Sequence, residues 1–277
     1  MSVIALAGCS GAPGVTTSAL ALLLSWPLQP GRRLVLAECD PDGSAVLYGL
    51  LQGSLGDRYG LRNLSVASRK GELVEAFWRQ LIDVSAEDGK QETRDRLVLP
   101  GVTNPSQSAG LGPAWEDLAR LFTGIGEQPA QAHDVLVDLG RNGAFGPSAV
   151  LAQRADALVV VVRNTVRSLQ AAQTRIEALE ERVGNVGILM IDEGPYPVGE
   201  VQRVLRAPVV ATLPHAPREA RVLSDGAEQP RNFTKTSLMR AARSACTVLE
   251  QRAALRRARL APRFAGPPPG PEENNAR

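Results

Sequence analysis

The sequence predicts an α/β fold of three layers, in which a mostly parallel sheet is flanked by helices. Several short runs are continuously apolar rather than alternating, which is typical of parallel strands buried on both faces. Segments with apolar residues three or four apart and charges between them lie between most of these runs. Such alternation of strand and helix implies right-handed βαβ crossovers and helices on both faces of one sheet.

Each predicted element rests on one of these two patterns. The predicted strands cover residues 3–7, 34–37, 97–99, 135–137, 158–162, 186–191 and 209–213. The predicted helices cover residues 18–24, 71–81, 114–122, 168–182, 199–205 and 237–260. Residues 85–96 are polar and charged, so we expect a surface loop there.

Composition indicates one cytoplasmic domain. A chain of 277 residues that is 44% hydrophobic can bury a sizeable core, here over residues 1–260. The Pro- and Gly-rich residues 261–277 predict a disordered tail. A formal net charge of +2 excludes binding to nucleic acid or membrane driven by overall charge. The three cysteines fit no metal motif, and no run is long enough for a signal peptide or a membrane span.

The most informative motif is the glycine-rich stretch GCSGAPGVTT at residues 8–17, between a predicted strand and a helix. Strand, glycine turn and helix aim backbone N–H groups at phosphates, although an ordinary βα turn has the same spacing. A phosphate-binding loop normally has lysine after its last glycine, whereas Val15 follows Gly14 here. Thr16 stands where a loop hydroxyl contacts Mg²⁺. The predicted nucleotide-binding residues are Gly11, Ala12, Pro13, Gly14, Val15, Thr16 and Thr17.

Acidic residues follow two other predicted strands. Residues 38–43 read ECDPDG, and Asp138 ends the run Val-Leu-Val. Ligands of open parallel sheets bind beyond the carboxyl ends of the strands, where carboxylates can hold Mg²⁺ or position water. The alternatives are a solvated turn for the first group and a helix cap for Asp138. The predicted magnesium ligands are Thr16, Asp40 and Asp138.

Together these residues resemble the deviant P-loop ATPases of the ParA/MinD group. That family's loop K-G-G-x-G-K-[ST]-T falls on residues 10–17, its D-x-D-P-x-G motif on residues 38–43, and its strand-4 acid on Asp138. The resemblance extends to about residue 250. It implies a P-loop fold, ATP with Mg²⁺, a nucleotide-dependent homodimer, and a catalytic role for Asp40.

The chain departs from the family pattern at both lysines, which are replaced by Ser10 and Val15. Each lost charge-assisted contact costs about 1.5–3 kcal/mol. The amides and dipole at the helix N-terminus remain, with roughly half a positive charge. We therefore expect weak ATP binding with weak or absent hydrolysis, because phosphoryl transfer depends on positioned positive charge.

The loop S/A-P-G-V-T-T also resembles actinobacterial ParA-like proteins and, through them, the TadZ/CpaE branch. That resemblance implies a spatial or assembly regulator of Flp-type pilus or secretion machinery, with a secretion ATPase as partner and a polar or membrane-peripheral location. One alternative is an active ATPase of plasmid or chromosome partitioning, in which Arg141, Arg163 or Lys235 supplies the missing charge. Another is a basic C-terminal helix that binds DNA or membrane, although a solvated helix face is preferred.

Overall fold

In the computed structural model, the described residues are 2–10, 14–43, 45–55, 58–85, 94–124 and 133–260. Within them one sheet has the strands β1 Val3–Gly8, β2 Arg33–Glu38, β3 Ile82–Asp83, β4 Arg96–Leu99, β5 His133–Asp138, β6 Ala157–Arg163, β7 Val186–Asp192 and β8 Val209–Pro214. The helices are α1 Val15–Ser25, α2 Leu61–Lys70, α3 Leu73–Gln80, α4 Pro105–Ser108, α5 Ala114–Gly124, α6 Ala149–Arg154, α7 Val166–Val183, α8 Val198–Leu205, α9 Pro217–Ser224 and α10 Ser237–Leu260.

The strand order is β3-β4-β2-β5-β1-β6-β7-β8, and all neighbours are parallel except β3 and β4. The central strands are buried along both faces because apolar side chains point to either side of the sheet. In the register, Asp138 of β5 lies opposite Leu6 of β1 on one side and Glu38 of β2 on the other. The carboxyl ends that carry the predicted loop and acids therefore lie side by side.

Helices cover both faces of the sheet, which confirms the predicted three layers. One apolar core includes residues of α2, α3, α5, α6, α7 and α8, with Phe77 and Phe122 completely buried. The other joins α1, α9 and α10 to the opposite face and contains Trp26. Each face of the sheet is thus shielded from water by its own helical layer.

The C-terminal helix α10 belongs to this core. Its buried side chains, such as Met239 and Leu249, pack with α1 and the sheet. Two of its arginines bond to backbone: Arg252 Nη2 donates to the Val186 carbonyl at 2.8 Å, and Arg256 Nη1 donates to the Val183 carbonyl at 2.9 Å. These side chains hold α10 against the start of β7 and the end of α7, and so have a structural role.

The strands were predicted more completely than the helices. All seven predicted strands and all six predicted helices are present, whereas the sequence reading missed the two-residue β3 and the helices α2, α4, α6 and α9. The missed helices are short or polar, and α9 begins at a proline. The predicted loop at residues 85–96 is one residue too long, because Arg96 already bonds within β4.

Two further predictions fall partly or wholly outside the described residues. Residues 86–93 of the predicted loop and the predicted tail at residues 261–277 lie outside them. None of the helices that the described residues form has the length and apolar character needed to cross a membrane.

Candidate functional site

The site lies where β1 ends and α1 begins. Gly14 precedes α1 with φ +118°, a left-handed conformation that favours glycine. No side chain of the described residues caps α1, and its first turn carries no acid. The first N–H groups of α1 are thus available to an anion, as in phosphate-binding helix termini. Of the predicted loop residues, Gly11, Ala12 and Pro13 lie outside the described residues.

Asp138 lies next to this helix start and is fully buried. Its Oδ1 accepts a hydrogen bond from the Gly140 N–H at 2.9 Å, whereas its Oδ2 has no hydrogen-bond partner among the described residues. Burial raises the pKa of Asp138 to about 6, and the nearby Glu38 contributes to the rise. The Thr16 side chain faces the same carboxyl and acts to lower its pKa. The structure therefore brings together Thr16 and Asp138, as predicted from their positions after two strands.

Asp40 completes this acidic site. Its carboxylate lies so close to Gly140 that a Cβ there would be 1.9 Å from Asp40 Oδ2. The Asp42 N–H donates to Asp40 Oδ1 at 2.9 Å and so fixes the carboxylate in a tight turn. Burial, followed by the charge of Asp138, raises the pKa of Asp40 to about 6. The Asp40 and Asp138 carboxyls, both with raised pKa values, thus lie near each other and concentrate negative charge when they are ionised.

Glu38 has a different role from the other acids of its motif. It is completely buried, and its Oε1 accepts the N–H groups of Ala45 and Val46 at 2.5 and 3.1 Å. Its Oε2 accepts the Gly101 N–H at 2.9 Å. Glu38 thus ties the loop after β2 to the loop after β4. The expectation that Glu38 belongs to a magnesium shell or positions water is therefore wrong.

The oxygens that face this region fit Mg²⁺. A buried carboxylate oxygen without a partner, a second carboxylate and a hydroxyl are hard donors. The described residues contain no cluster of three or more His, Cys, Asp or Glu that would hold a metal alone. Mg²⁺ needs none, because it typically takes one or two carboxylates together with waters and phosphate oxygens. Thr16, Asp40 and Asp138 suit such an ion when a phosphate ligand is present.

The two positions of the lost lysines provide no positive charge. Val15 is buried in the core between α1 and the sheet, and Ser10 is exposed. Arg163, one of the expected substitutes, is paired through Nη1 with Glu193 Oε2 at 2.5 Å. Lys235 lies in the short turn before α10 and does not line the cavity that opens beside the loop end.

A cavity of about 340 Å³ opens beside the loop end. Gly14 and Thr17 form its wall on the side of the phosphate region. Ile191 of β7, Pro214 of β8 and Ala220 of α9 form mostly apolar walls. A flat apolar group joined to a phosphate chain on α1 would enter here, so the cavity suits a nucleobase.

Two structural residues of the site were missed by sequence reasoning. Asn164 is 2% exposed, and its Nδ2 donates toward Asp192 Oδ1 and the carbonyls of Gly194 and Tyr196 at 2.8–3.0 Å. Its Oδ1 accepts the N–H groups of Glu193 and Gly194. Asn164 thereby shapes the turn after β7. The only sequence signal was a polar residue directly after a strongly apolar strand.

The second is Arg175 of α7. Its Nη1 donates to the carbonyls of Gly8 and Arg141 at 2.9 and 2.5 Å, and its guanidinium lies 4.8 Å from the centre of the Phe145 ring. It therefore joins the end of β1 to the turn after β5. No sequence signal distinguishes it from the other arginines of an amphipathic helix.

These features define a class of fold: an α/β fold whose parallel sheet carries an uncapped helix N-terminus, two carboxylates and a hydroxyl at its carboxyl edge, the arrangement typical of nucleotide-binding folds. Comparison with known proteins gives the particular fold within this class. No family model matches the chain, and no curated protein matches it.

Solved structures do match. A ParA family ATPase from Chlorobium tepidum superposes with a TM-score of 0.65 at 14% identity, over 89% of this chain and 98% of the other. The septum site-determining protein MinD from Pyrococcus horikoshii, complexed with Mg-ADP, gives 0.65 at 15% identity, over 92% and 98%. A putative plasmid partition protein from Borrelia burgdorferi bound to AMPPNP gives 0.61 at 10% identity, over 90% and 98%. The chain therefore has the fold of the ParA and MinD ATPases.

Proposed function

We propose that the protein binds ATP with Mg²⁺ weakly at this site, hydrolyses it slowly or not at all, and acts as a spatial or assembly regulator. One observation carries the proposal. The Thr16 and Asp138 side chains meet at an uncapped helix start, while Val15, at the position of the catalytic lysine, is buried in the core. The binding surface is retained and its central cation is absent.

Binding would use three parts of the described site. The N–H groups of α1 bind the phosphates, with roughly half a positive charge from the helix dipole. Thr16, Asp40 and Asp138 hold Mg²⁺, which supplies charge neutralisation to the phosphate oxygens when bound. The base enters the cavity of about 340 Å³ beside Gly14.

Slow hydrolysis follows from the absence of the two lysine charges at Ser10 and Val15. Two missing charge-assisted contacts, at about 1.5–3 kcal/mol each, weaken the binding of a phosphate chain. The effect on the transition state is larger, because the charge that develops on the transferred phosphoryl group needs positioned cations. Asp40, whose pKa is about 6, remains the residue proposed to act on the attacking water.

The regulatory part of the proposal is supported by resemblance. Solved structures with this fold include a MinC:MinD cell division protein complex from Aquifex aeolicus, at a TM-score of 0.64 and 17% identity, and the plasmid partition protein above. These likenesses support a spatial regulator only in general. That the protein places pilus or secretion machinery, through a nucleotide-dependent homodimer and a secretion ATPase partner, is proposed from the TadZ/CpaE-like loop alone. A location in the cytoplasm, at a pole or at the membrane surface, belongs to the same proposal.

Titration of the wild type and Val15→Lys with ATP and Mg²⁺ by calorimetry tests the nucleotide site. We expect weak binding by the wild type and about tenfold tighter binding by Val15→Lys, because the lysine stem can lie along the apolar surface at position 15 while its ammonium extends to the phosphates and restores one charge-assisted contact. Val204→Lys is the matched control, since it adds the same charge at an exposed position of α8. Absence of binding in both the wild type and Val15→Lys would contradict the proposal.

One alternative is an active partitioning ATPase, and the retained Thr16, Asp40 and Asp138 favour it. A turnover assay separates this alternative from the proposal. Robust wild-type hydrolysis that Asp40→Ala abolishes would show that the active ATPase is the correct alternative. The second alternative, a basic helix that binds DNA or membrane, receives less support, since Arg252 and Arg256 of α10 are bonded to backbone carbonyls.

A further inference from the structure

We propose that Arg141 supplies the nucleotide phosphates with the positive charge that Ser10 and Val15 do not provide. The inference rests on the proposed function, since it concerns the same nucleotide site. Arg141 lies three residues after Asp138, in the turn that follows β5. This turn is at the carboxyl edge of the sheet, between the strand that leads into the loop and the strand that leads to Asp40.

The backbone on both sides of Arg141 is held to the end of β1. The Gly8 N–H donates to the Gly140 carbonyl at 2.8 Å, and Gly140 has a left-handed φ of +55°. Arg175 Nη1 donates to the carbonyls of Gly8 and Arg141 together. Two neighbouring residues are thus fixed to the last residue of β1, directly before the loop.

The next residue is fixed to the acidic turn. Asn142 Nδ2 donates to Asp42 Oδ2 at 2.8 Å, and its Oδ1 accepts from Arg175 Nη2 at 3.3 Å. The turn at residues 140–142 therefore cannot shift without breaking contacts to β1, α7 and the loop after β2. Such a support positions the Cα of Arg141 before any ligand arrives.

The Arg141 side chain itself is available. It is exposed and forms no ion pair with another of the described residues. By contrast, Arg163 is paired with Glu193. Arg221 at the cavity rim is paired with Asp225, with its Nε 3.4 Å from Asp225 Oδ2. Arg175 donates through Nη1 to two backbone carbonyls and through Nη2 to the Asn142 side chain.

Arg141 lies between the two ends of the site, because β5, which leads to its turn, pairs with β1 on one side and with β2 on the other. Burial raises the pKa of the Asp40 carboxyl and of the Cys9 thiol, and Arg141 acts to lower both. Cys9 follows β1 and begins the loop, and Asp40 is a proposed magnesium ligand. A phosphate chain that spans these two residues would meet a planar guanidinium, whose paired N–H donors match two phosphate oxygens.

The test compares ATP and AMP binding, with Mg²⁺ present, in Arg141→Gln, Arg141→Lys and the wild type. We expect Arg141→Gln to bind ATP at least about tenfold more weakly and AMP almost unchanged, because the lost cation serves the outer phosphates. Arg141→Lys should retain part of the affinity. Arg203→Ala, which removes an exposed arginine of α8, is the control and should match the wild type.

A rescue variant strengthens the test. In Val15→Lys/Arg141→Gln, the lysine should restore ATP affinity lost in Arg141→Gln, since both side chains supply charge to the same phosphates. The melting temperature of Arg141→Gln should equal that of the wild type, because this exposed side chain has no ion pair with a described residue. A lowered melting temperature together with equal losses for ATP and AMP would overturn the inference in favour of a structural role.

The results also separate the two proposals. If the wild type binds ATP and Arg141→Gln binds it equally well, the Arg141 inference is wrong and the proposed function stands. If neither the wild type nor Val15→Lys binds ATP, both are wrong. If Arg141→Gln alone loses ATP binding and retains AMP binding, the Arg141 inference is supported, and the proposed function is supported with it when the turnover assay of the wild type shows slow or absent hydrolysis.

Discussion

Replacement of Asp138 by asparagine should stabilise the protein at neutral and mildly alkaline pH. The Asp138 carboxyl is fully buried, its Oδ2 has no hydrogen-bond partner among the described residues, and its pKa is raised from 3.8 to about 6. An ionised carboxylate in this position is costly because burial removes its hydration. Asparagine keeps the acceptor for the Gly140 N–H and carries no charge.

The pKa shift of Asp138 gives the size and the sign of the expected change in stability. A rise of about 2 units, at 1.36 kcal/mol per unit, corresponds to about 3 kcal/mol in the free energy of unfolding. Since the folded state holds the proton more tightly, its contribution is complete below the unfolded pKa near 3.8 and is lost as pH rises through about 6. The free energy of unfolding of Asp138→Asn should therefore exceed that of the wild type by about 3 kcal/mol near pH 8 and by about half as much near pH 5.

Urea denaturation at these two pH values measures the difference. Asp225→Asn is the control, because that carboxylate is 56% exposed and its replacement should change stability little at either pH. Mg²⁺ with ATP should stabilise the wild type and have less effect on Asp138→Asn, which lacks the charged ligand. An Asp138→Asn protein that is less stable than the wild type near pH 8 would refute the reasoning, since it would show that the carboxylate is held by favourable contacts.

Three further predictions concern the surroundings of the site. Gly140→Ala should destabilise the protein and weaken Mg²⁺-ATP binding, because the new Cβ would collide with the Asp40 carboxylate; thermal melting and calorimetry measure this, and unchanged values would contradict the geometry. Asn164→Ala should lower the free energy of unfolding by about 2–4 kcal/mol, because buried backbone groups of the turn after β7 lose their partners; urea titration checks it, and a loss below 1 kcal/mol would argue against it. The affinity for Mg²⁺-ATP should fall as pH drops through about 6, where Asp40 and Asp138 take up protons that compete with the cation; a calorimetric pH series with a flat profile would exclude them as ligands.

Much of the fold could be predicted because buried parallel strands have a plain signature. The run that became β6, Ala-Leu-Val-Val-Val-Val-Arg, is apolar at nearly every position, short and rich in β-branched valine, which is typical of a strand covered on both sides. The helix α2, with the sequence LRNLSVASRK, was missed because its intrinsic signal is weak and its stability comes from packing against α3 and α5. Local pattern predicts an element when one face or both must be buried, and fails when long-range contacts decide.

The candidate site shows the same division. Thr16, Asp40 and Asp138 could be placed at strand ends from the sequence, because parallel strands bring their carboxyl ends to one edge. The structural role of Glu38 could not, since it depends on three N–H groups from loops as far apart as Ala45 and Gly101.

By itself, the sequence determined the parallel α/β class, the loop with two missing lysines, and which acids follow which strands. Only the tertiary structure decided that Asp40 meets Asp138 across Gly140, that Val15 turns into the core, and that Arg141 lies unpaired among the described residues at a fixed turn. The physical reason is that side-chain direction and partner choice depend on the strand order β2-β5-β1 and on the helix α7 packed beside it. These contacts join residues that are a hundred or more positions apart in the chain, such as Asn142 with Asp42 and Arg175 with Gly8.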